Sequence, residues 1–508
     1  MNASTPAGSR ARALFESLRQ GETVSSRTLR DAITRTGLRS DDPRLRATMQ
    51  QLDEPAELDF ARFVAAIRPG LLLIERALRG DLAIPDFPRF RGEIDEIYAA
   101  TRAVEGGSVA DYIPQLARVD PSLYAVSLVT VDGQRHSIGD ARHPFSVQSC
   151  CKPINYCLAV EEHGEDRVHA HVGCEPSGQM FNELTLNGLG RPHNPMINAG
   201  AIMSCSLIRP GLSSADRFDF VNEMWTRLCG GRKPGFSNPM YLSERRTADR
   251  NFALGYFMRE NGAFPEGTDL LETLEFYFQC CSLEIDAEAF AMAAGTLANG
   301  GICPVTGEQV LQPDTVRKCL SLMESCGMYN YSGQWAFSIG LPAKSGVSGA
   351  LIVIVPNVMG LCVYAPRLDA NGNSVRGIAF CRELVDRFNF HSYDNLVGVL
   401  HGKRDPRRSD TRAVDREDFF WAAAGGDLDG VRRLIARGVP IDEADYDGRT
   451  AIHLAASEGH AHVVEFLLDH GARREPSDRW GNTPLDDARR ESHDAIVALL
   501  AQSTRASA

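Results

Sequence analysis

The sequence predicts an α+β protein: one antiparallel sheet with a helical cluster, preceded by a segment of short helices and followed by a helical repeat. Three observations carry this expectation. Two β-hairpin patterns stand near opposite ends of a middle segment, residues 95–400, with helical periodicity between them. The residues before it carry apolar side chains at helical spacing, and the last hundred or so residues repeat themselves at a fixed interval.

In the first segment Leu29 and Ile33 are spaced i, i+4, Leu45, Met49 and Leu52 share a face, and so do Phe60, Phe63, Val64 and Ile67. Gly37 and Pro43 punctuate these helices, and Ile84-Pro85-Asp86-Phe87-Pro88 closes the segment. Paired helices of this size invite comparison with an EF-hand. The alternating carboxylate loop with a central glycine and a terminal glutamate is missing, so no calcium site is expected. The expected divisions are a helical domain at 1–88, a catalytic domain at 89–401, a polar linker at 402–414 and the repeat at 415–508.

The middle segment opens on Tyr124–Val131, β-branched and apolar, and turns at Asp132-Gly133 into Gln134–Ile138. Its second hairpin runs from Ala350–Val355 through Pro356-Asn357 to Leu361–Tyr364. The last segment is periodic: Thr450-Ala451-Ile452-His453-Leu454-Ala455 returns 33 residues later as Thr483-Pro484-Leu485-Asp486-Asp487-Ala488. Gly426 and Gly459, Gly438 and Gly471, and Val431, Val464 and Val497 keep the same interval. That period and core are the ankyrin signature, here two clear copies and a partial first one. So short a stack has a small core and calls for a cap from the body or from a protein partner.

Composition narrows the function. A net charge of −12 argues against nucleic acid as partner, since a phosphate backbone demands a concentrated basic surface. No apolar run is long enough for a membrane span, and the first residues lack the apolar core of a secretory signal, so the expected location is cytoplasmic. The 13 cysteines are odd in number and many sit in apolar contexts, such as Cys280-Cys281 after Phe276-Tyr277-Phe278; they read as small buried hydrophobes. No paired CxxC spacing suggests a metal, and no cofactor is expected.

Chemistry is first suggested by Ser149-Cys150-Cys151-Lys152, which puts an amine three residues after a hydroxyl. On a helix the two share a face, and an amine whose pKa is depressed can take the serine proton. Lys344-Ser345-Gly346 stands just before the Ala350–Val355 strand, where small residues let a substrate approach the backbone and an N–H complete an oxyanion hole. Tyr112 and Tyr329 sit in polar or glycine-rich settings suited to a proton relay.

The strings YIPQLA (112–117), VQSCCKP (147–153), EPSG (175–178), PHNPMINAGAI (192–202), SERRTADRNFALGYF (243–257), EFYFQCCS (275–282) and SCGMYNYSGQWAFSIGLPAKSGVSG (325–349) resemble the glutaminase family. The helical and ankyrin flanks resemble those of its animal kidney- and liver-type members. The resemblance implies a serine β-lactamase-like catalytic fold, L-glutamine as substrate, no cofactor, and a homo-oligomer, dimer or tetramer. It implies Ser149 as nucleophile, Lys152 as its base, and Tyr329 and Tyr112 as proton relays or amide-orienting groups. Substrate contacts would fall on Tyr112, Ser149, Asn198, Glu244, Asn251, Tyr277, Tyr329 and Val347, with Glu244 pairing the α-ammonium.

One loop departs from the pattern. Residues 182–191 read Asn-Glu-Leu-Thr-Leu-Asn-Gly-Leu-Gly-Arg, where the animal members carry a more acidic, phenylalanine-containing loop tied to phosphate activation and tetramer assembly. Gly188 and Gly190 predict a more mobile loop. Two alternatives stay open: a penicillin-hydrolysing or peptidase-like serine enzyme on the same fold, and a non-enzymatic scaffold that acts through its ankyrin repeats. Nitrocefin turnover would mark the first, and partner binding without catalysis the second.

Overall fold

The computed structural model describes residues 6–19, 22–179, 183–394, 403–407, 412–436 and 439–501. The chain divides into two compact units, 1–393 and 394–508. Residues 402 and 408–411 of the expected linker, Asn182 of the departing loop and Gly438 of the repeat lie outside the described residues. A helix already begins at Arg412.

In the first unit, short helices gather the side chains of Leu29, Ile33, Leu45, Met49, Phe63 and Ile67 into one apolar cluster that runs from Ala11 to Leu82. Two-residue strands, Val24–Ser25 and Glu57–Leu58, pair antiparallel between the helices. The expected boundary at 88 falls inside helix α1, Phe87–Arg102. Phe87, Phe90, Ile94 and Ile97 pack into the core of the sheet, and Ile84 already belongs to that core, so the structural change of domain comes between Leu82 and Ile84. The seam is hydrogen-bonded. Gln134 Nε2 donates to Thr36 O at 2.7 Å, Arg135 N to Gly37 O at 2.9 Å, and Ala83 N to Asp132 Oδ2 at 2.6 Å.

The sheet has five antiparallel strands: β1 Ala125–Thr130, β2 Arg135–Gly139, β3 Ala343–Ser345, β4 Ala350–Val355 and β5 Met359–Tyr364, in the order β2-β1-β5-β4-β3. Both expected hairpins are present, with Gly133 (φ 89°) and Asn357 (φ 62°) in the left-handed conformation their turns need. Strand β3, which holds Lys344 and Ser345, joins the edge beside β4 in the register Lys344↔Ile352. Strands β1, β4 and β5 are buried along their whole length because both faces are covered. Helices α1 and α8 (Val375–Arg387) cover one face. The other face receives α7 (Ala287–Ala298), behind which lie α2 (Lys152–His163), α3 (Asn198–Leu207) and α6 (Leu270–Cys281). This is the expected α+β layer, with strands from both ends of the domain and helices from the middle.

Gly360 sets how closely α7 and the sheet approach. A Cβ there would lie 2.1 Å from Ala294 C and Gly295 N, backbone atoms that cannot swing away. Gly360→Ala is therefore expected to cost about 3 kcal/mol, the upper range for overpacking, read as a fall in thermal midpoint; an unchanged midpoint would show the helix is free to shift.

Among its described residues the second unit holds three helix pairs: Arg412–Ala424 with Leu428–Ala436, Ala451–Ser457 with Ala461–Asp469, and Pro484–Arg490 with Asp494–Ala501. Two of the repeated positions have a visible mechanical use. Thr450 and Thr483 open their helices as capping boxes, closed by His453 and Asp486. His460 Nε2 bonds Ala424 O at 2.9 Å, and His493 Nε2, 33 residues on, bonds Ser457 O at 3.0 Å. The same hydrogen bond thus ties each pair to the next. All 13 cysteines are free, and all but Cys174 are buried. Among the described residues no helix is long and apolar enough to cross a membrane.

Candidate active site

The S-x-x-K segment is not a regular α-helix. Gln148–Cys151 form a 3-10 turn that runs directly into α2, whose first residue is Lys152. In a 3-10 turn positions i and i+3 eclipse, so the serine and lysine share a side more closely than on an α-helix. Gln148 enters the turn with φ 48°, and Tyr329, opposite, has φ 54°. Left-handed backbone in two bulky residues costs on the order of 1–3 kcal/mol each, and such strain concentrates where a side chain must be aimed.

The Ser149 hydroxyl is half-buried and hydrogen-bonds the Tyr329 phenol. Across the Tyr329 ring, 4.3 Å from its centre, lies the amine of Lys344. That amine is fully buried, donates to Gly327 O at 3.0 Å and Ser345 O at 2.6 Å, and faces no carboxylate among these contacts. Burial, with the second lysine nearby, pulls its pKa down to about 7. Lys152 is equally buried; its Nζ donates to Asn198 Oδ1 at 2.6 Å, and Asn198 Nδ2 donates to Asn251 Oδ1 at 3.0 Å. Burial lowers its pKa as well, which favours the neutral amine a base needs.

A second group of polar side chains closes the pocket. Tyr112 turns its hydroxyl onto Glu244 Oε1 at 2.6 Å, while its ring stays half exposed. Gln148 also bonds Glu244 and takes a long contact of 3.4 Å from the Tyr112 hydroxyl. Glu244 is buried, and desolvation holds its carboxyl above the usual range against those hydrogen bonds and the nearby Lys152. Tyr277 is buried beside it, bonded to Cys281, whose Sγ lies 3.8 Å from Cys151 Sγ.

Val347 is delivered by a tight turn after β3. Gly346 N donates to Ala350 O at 2.9 Å, and a Cβ on Gly346 would sit 3.1 Å from both Val147 O and Cys150 Sγ. Glycine therefore lets this turn lie against the backbone of the Ser149 segment. Val347 itself packs beside Ile113, Leu116 and Met240, next to Tyr112.

All nine expected site residues are thus drawn into one cluster. Two others belong with them. Lys344 was legible as part of a motif, but its place over the Tyr329 ring depends on β3 pairing at the sheet edge. Gln148 had no signal beyond its neighbour, since its part comes from a left-handed backbone. Asn194 acts one step back: its Oδ1 accepts from Met196 N at 2.9 Å and shapes the turn that presents Asn198. In the departing loop Asn187 Oδ1 accepts from Leu189 N and Arg191 N, so the two glycines sit in a pinned turn. Among the described residues no group of three or more His, Cys, Asp or Glu side chains is placed to hold a metal.

The two buried lysines also set how stability varies with pH. The folded pKa of Lys344, about 7, lies below the unfolded lysine value, so above about pH 7 the unfolded chain binds a proton that the folded chain does not. Stability should then rise with pH in that window, by up to about 1.4 kcal/mol per unit from Lys344, with Lys152, shifted in the same direction, adding to the rise. Thermal unfolding at stepped pH checks this, and Lys344→Met should flatten the slope; an unchanged slope would contradict the burial account.

Most of the chain matches known protein families. A family model described as glutaminase matches residues 107–393, one for ankyrin repeats in three copies matches 419–507, and one for an EF-hand domain matches 11–85. The chain is 48% identical to putative glutaminase 2 of Caenorhabditis elegans over 92% of its own length and 81% of that protein. It is 46% identical to the glutaminase liver isoform, mitochondrial, of Rattus norvegicus over 96% of its length and 83% of the relative. Among solved structures it is similar to the probable glutaminase ybaS, with a TM-score of 0.58 and 34% identity over 61% of this chain and 99% of that one. It is also similar to a probable glutaminase from Bacillus subtilis complexed with 6-diazo-5-oxo-L-norleucine, with a TM-score of 0.52 and 31% identity over 59% and 94% of the two chains. With a family match over more than half of its length and relatives this similar across almost all of it, the chain belongs to the glutaminase family.

Proposed function

We propose that the chain hydrolyses the side-chain amide of L-glutamine to L-glutamate and ammonia, through a glutamyl ester on Ser149. The observation that carries this reading is the pair of buried lysine amines flanking Ser149 and its tyrosine partner, beside a buried carboxylate of opposite purpose. Neutral Lys152 takes the Ser149 proton, and the oxygen attacks the carboxamide carbon. The backbone N–H groups of Ser149 and Val347 stabilise the oxyanion. The proton on Lys152 then goes to the leaving ammonia, directly or through Tyr329, whose hydroxyl bonds Ser149. Water then cleaves the ester by the reverse path.

Selectivity follows from the rest of the cluster. Glu244, held by Tyr112 and Gln148, receives the α-ammonium, while Asn198, Asn251 and Tyr277 serve the α-carboxylate and the amide. The Bacillus subtilis neighbour was solved with 6-diazo-5-oxo-L-norleucine, an α-amino acid with a reactive ketone chain, which supports an amino-acid pocket of this kind. A penicillin-type substrate has no α-ammonium to satisfy Glu244.

The test is ammonia release from L-glutamine and from its analogue lacking the α-amino group. The analogue should lose about 100-fold or more in kcat/KM, because Glu244 is left buried without its partner. Glu244→Gln should narrow that gap by weakening L-glutamine, chiefly through KM. Equal turnover of both compounds by the wild type would overturn the assignment of Glu244. We further take the protein to act as a cytoplasmic homo-oligomer, dimer or tetramer, whose ankyrin repeats present a surface to a protein partner. Light scattering that returns a monomer would refute the assembly.

A further inference from the structure

None of the free cysteines serves a step of the hydrolysis described above, yet one of them stands among the site residues. Cys281 closes α6 one turn after Tyr277, to which it is bonded. Its thiol and the ionising groups of Lys152, Glu244, Tyr112 and Tyr329 act on one another electrostatically. Cys151 lies in the 3-10 turn between Ser149 and Lys152, and the two sulfurs approach to 3.8 Å. Cys281 is the member of the pair that solvent reaches, 5% exposed against 0% for Cys151.

Backbone pairing close by holds the two thiols together. Ser146 pairs with Glu284, and Val147 N donates to Leu283 O at 2.9 Å. The chain entering the 3-10 turn and the chain leaving α6 therefore run side by side. The contact with Cys151 and burial hold the Cys281 thiol well above its ordinary pKa, so it rests protonated. Lys152, whose own pKa burial lowers, is the neighbouring amine able to take that proton. Two other thiol pairs are in contact, Cys205 with Cys280 and Cys157 with Cys319, but all four of these residues are 0% exposed.

We propose that Cys281 and Cys151 form an oxidation site, where a peroxide small enough to enter the glutamine pocket closes a disulfide that stops turnover. This rests on the reading of Ser149 and Lys152 given above. Lys152 takes the Cys281 proton, and the sulfur attacks one oxygen of hydrogen peroxide. The O–O bond breaks, leaving a sulfenic acid and a hydroxide that recovers the proton as water. The Cys151 sulfur then attacks the sulfenyl sulfur; the S–S bond forms, the S–O bond breaks, and the Cys151 proton leaves with the hydroxide as a second water. The two thiols lose two electrons to the peroxide, and no further reactant is needed. To bond, the sulfurs close by roughly 2 Å, and Cys151 carries part of that movement into the turn that aims Ser149. A displacement of about 1 Å there costs about 100-fold in rate.

The experiment treats the full chain with hydrogen peroxide, then assays ammonia release and maps unreduced peptides by mass spectrometry. The rate should fall about 100-fold as a peptide joining Cys151 to Cys281 appears, and a dithiol should reverse both changes. Cys151→Val, compared with its own untreated rate, should keep its activity through the same exposure, whereas Cys174→Ser should be inactivated like the wild type. In Ser149→Ala, L-glutamine at ten times its measured Kd should slow the cross-link about tenfold, because the oxidant enters through the occupied pocket. Inactivation without this cross-link, a cross-link of Cys205 to Cys280 in its place, or cross-linking indifferent to L-glutamine would overturn the site. No ammonia before peroxide is added would overturn the hydrolase reading alone, and the mapped cross-link would still decide the thiol pair.

Discussion

Replacing Ser149 with alanine is expected to lower ammonia release from L-glutamine by roughly four orders of magnitude or more. The hydroxyl is the one group in the cluster placed between an amine base, a phenol and a backbone turn, and alanine removes it without disturbing any of them. Tyr329 stays over Lys344, Lys152 stays on Asn198, and Glu244 stays on Tyr112. Substrate affinity should therefore survive, so the mutant is expected to bind L-glutamine with near-normal affinity while failing to turn it over. Activity above about a tenth of wild type would show that another group attacks, since loss of a covalent nucleophile costs far more than tenfold.

Lys152→Met is expected to be nearly as damaging, on the order of a thousandfold in kcat, the middle of the range a positioned base contributes. Methionine keeps the apolar stem and the volume and deletes the amine. The distinguishing feature is stability. A fully buried amine held by one amide oxygen is costly to bury, so the inactive variant should unfold at the same temperature as wild type or higher. Asn198 would lose its partner and moderate the gain. A structural lysine would behave in the opposite way, losing stability and activity together, and calorimetry alongside the assay separates the two.

Much of this could be read before folding, and the reasons differ from residue to residue. Tyr124–Val131 and Ala350–Val355 were legible because β-branched runs bounded by turn residues admit few other structures. Strand β3 was not, because Ala343–Ser345 is too short to show alternation and is defined only by its pairing with β4. The ankyrin unit was legible from its period, and its His460 and His493 bonds show what the period preserves. Ser149 and Lys152 could be named from their spacing, but the 3-10 turn that brings them together is a matter of strained backbone at Gln148. The boundary expected at 88 rests on Pro88 as punctuation, whereas this proline lies in the first turn of α1, where a missing N–H costs nothing. Glu244 lay within a run of charges that looks solvated in sequence; only the fold shows it buried under Tyr112.

The central claim is the ester on Ser149, and the most direct measurement is to find it. The full chain mixed with L-glutamine, quenched in acid within a turnover and mapped by peptide mass spectrometry, should carry a glutamyl group on Ser149 that is missing in Ser149→Ala. Ammonia release with no adduct on any peptide, or an adduct on Cys150 or Cys151 instead, would contradict the account.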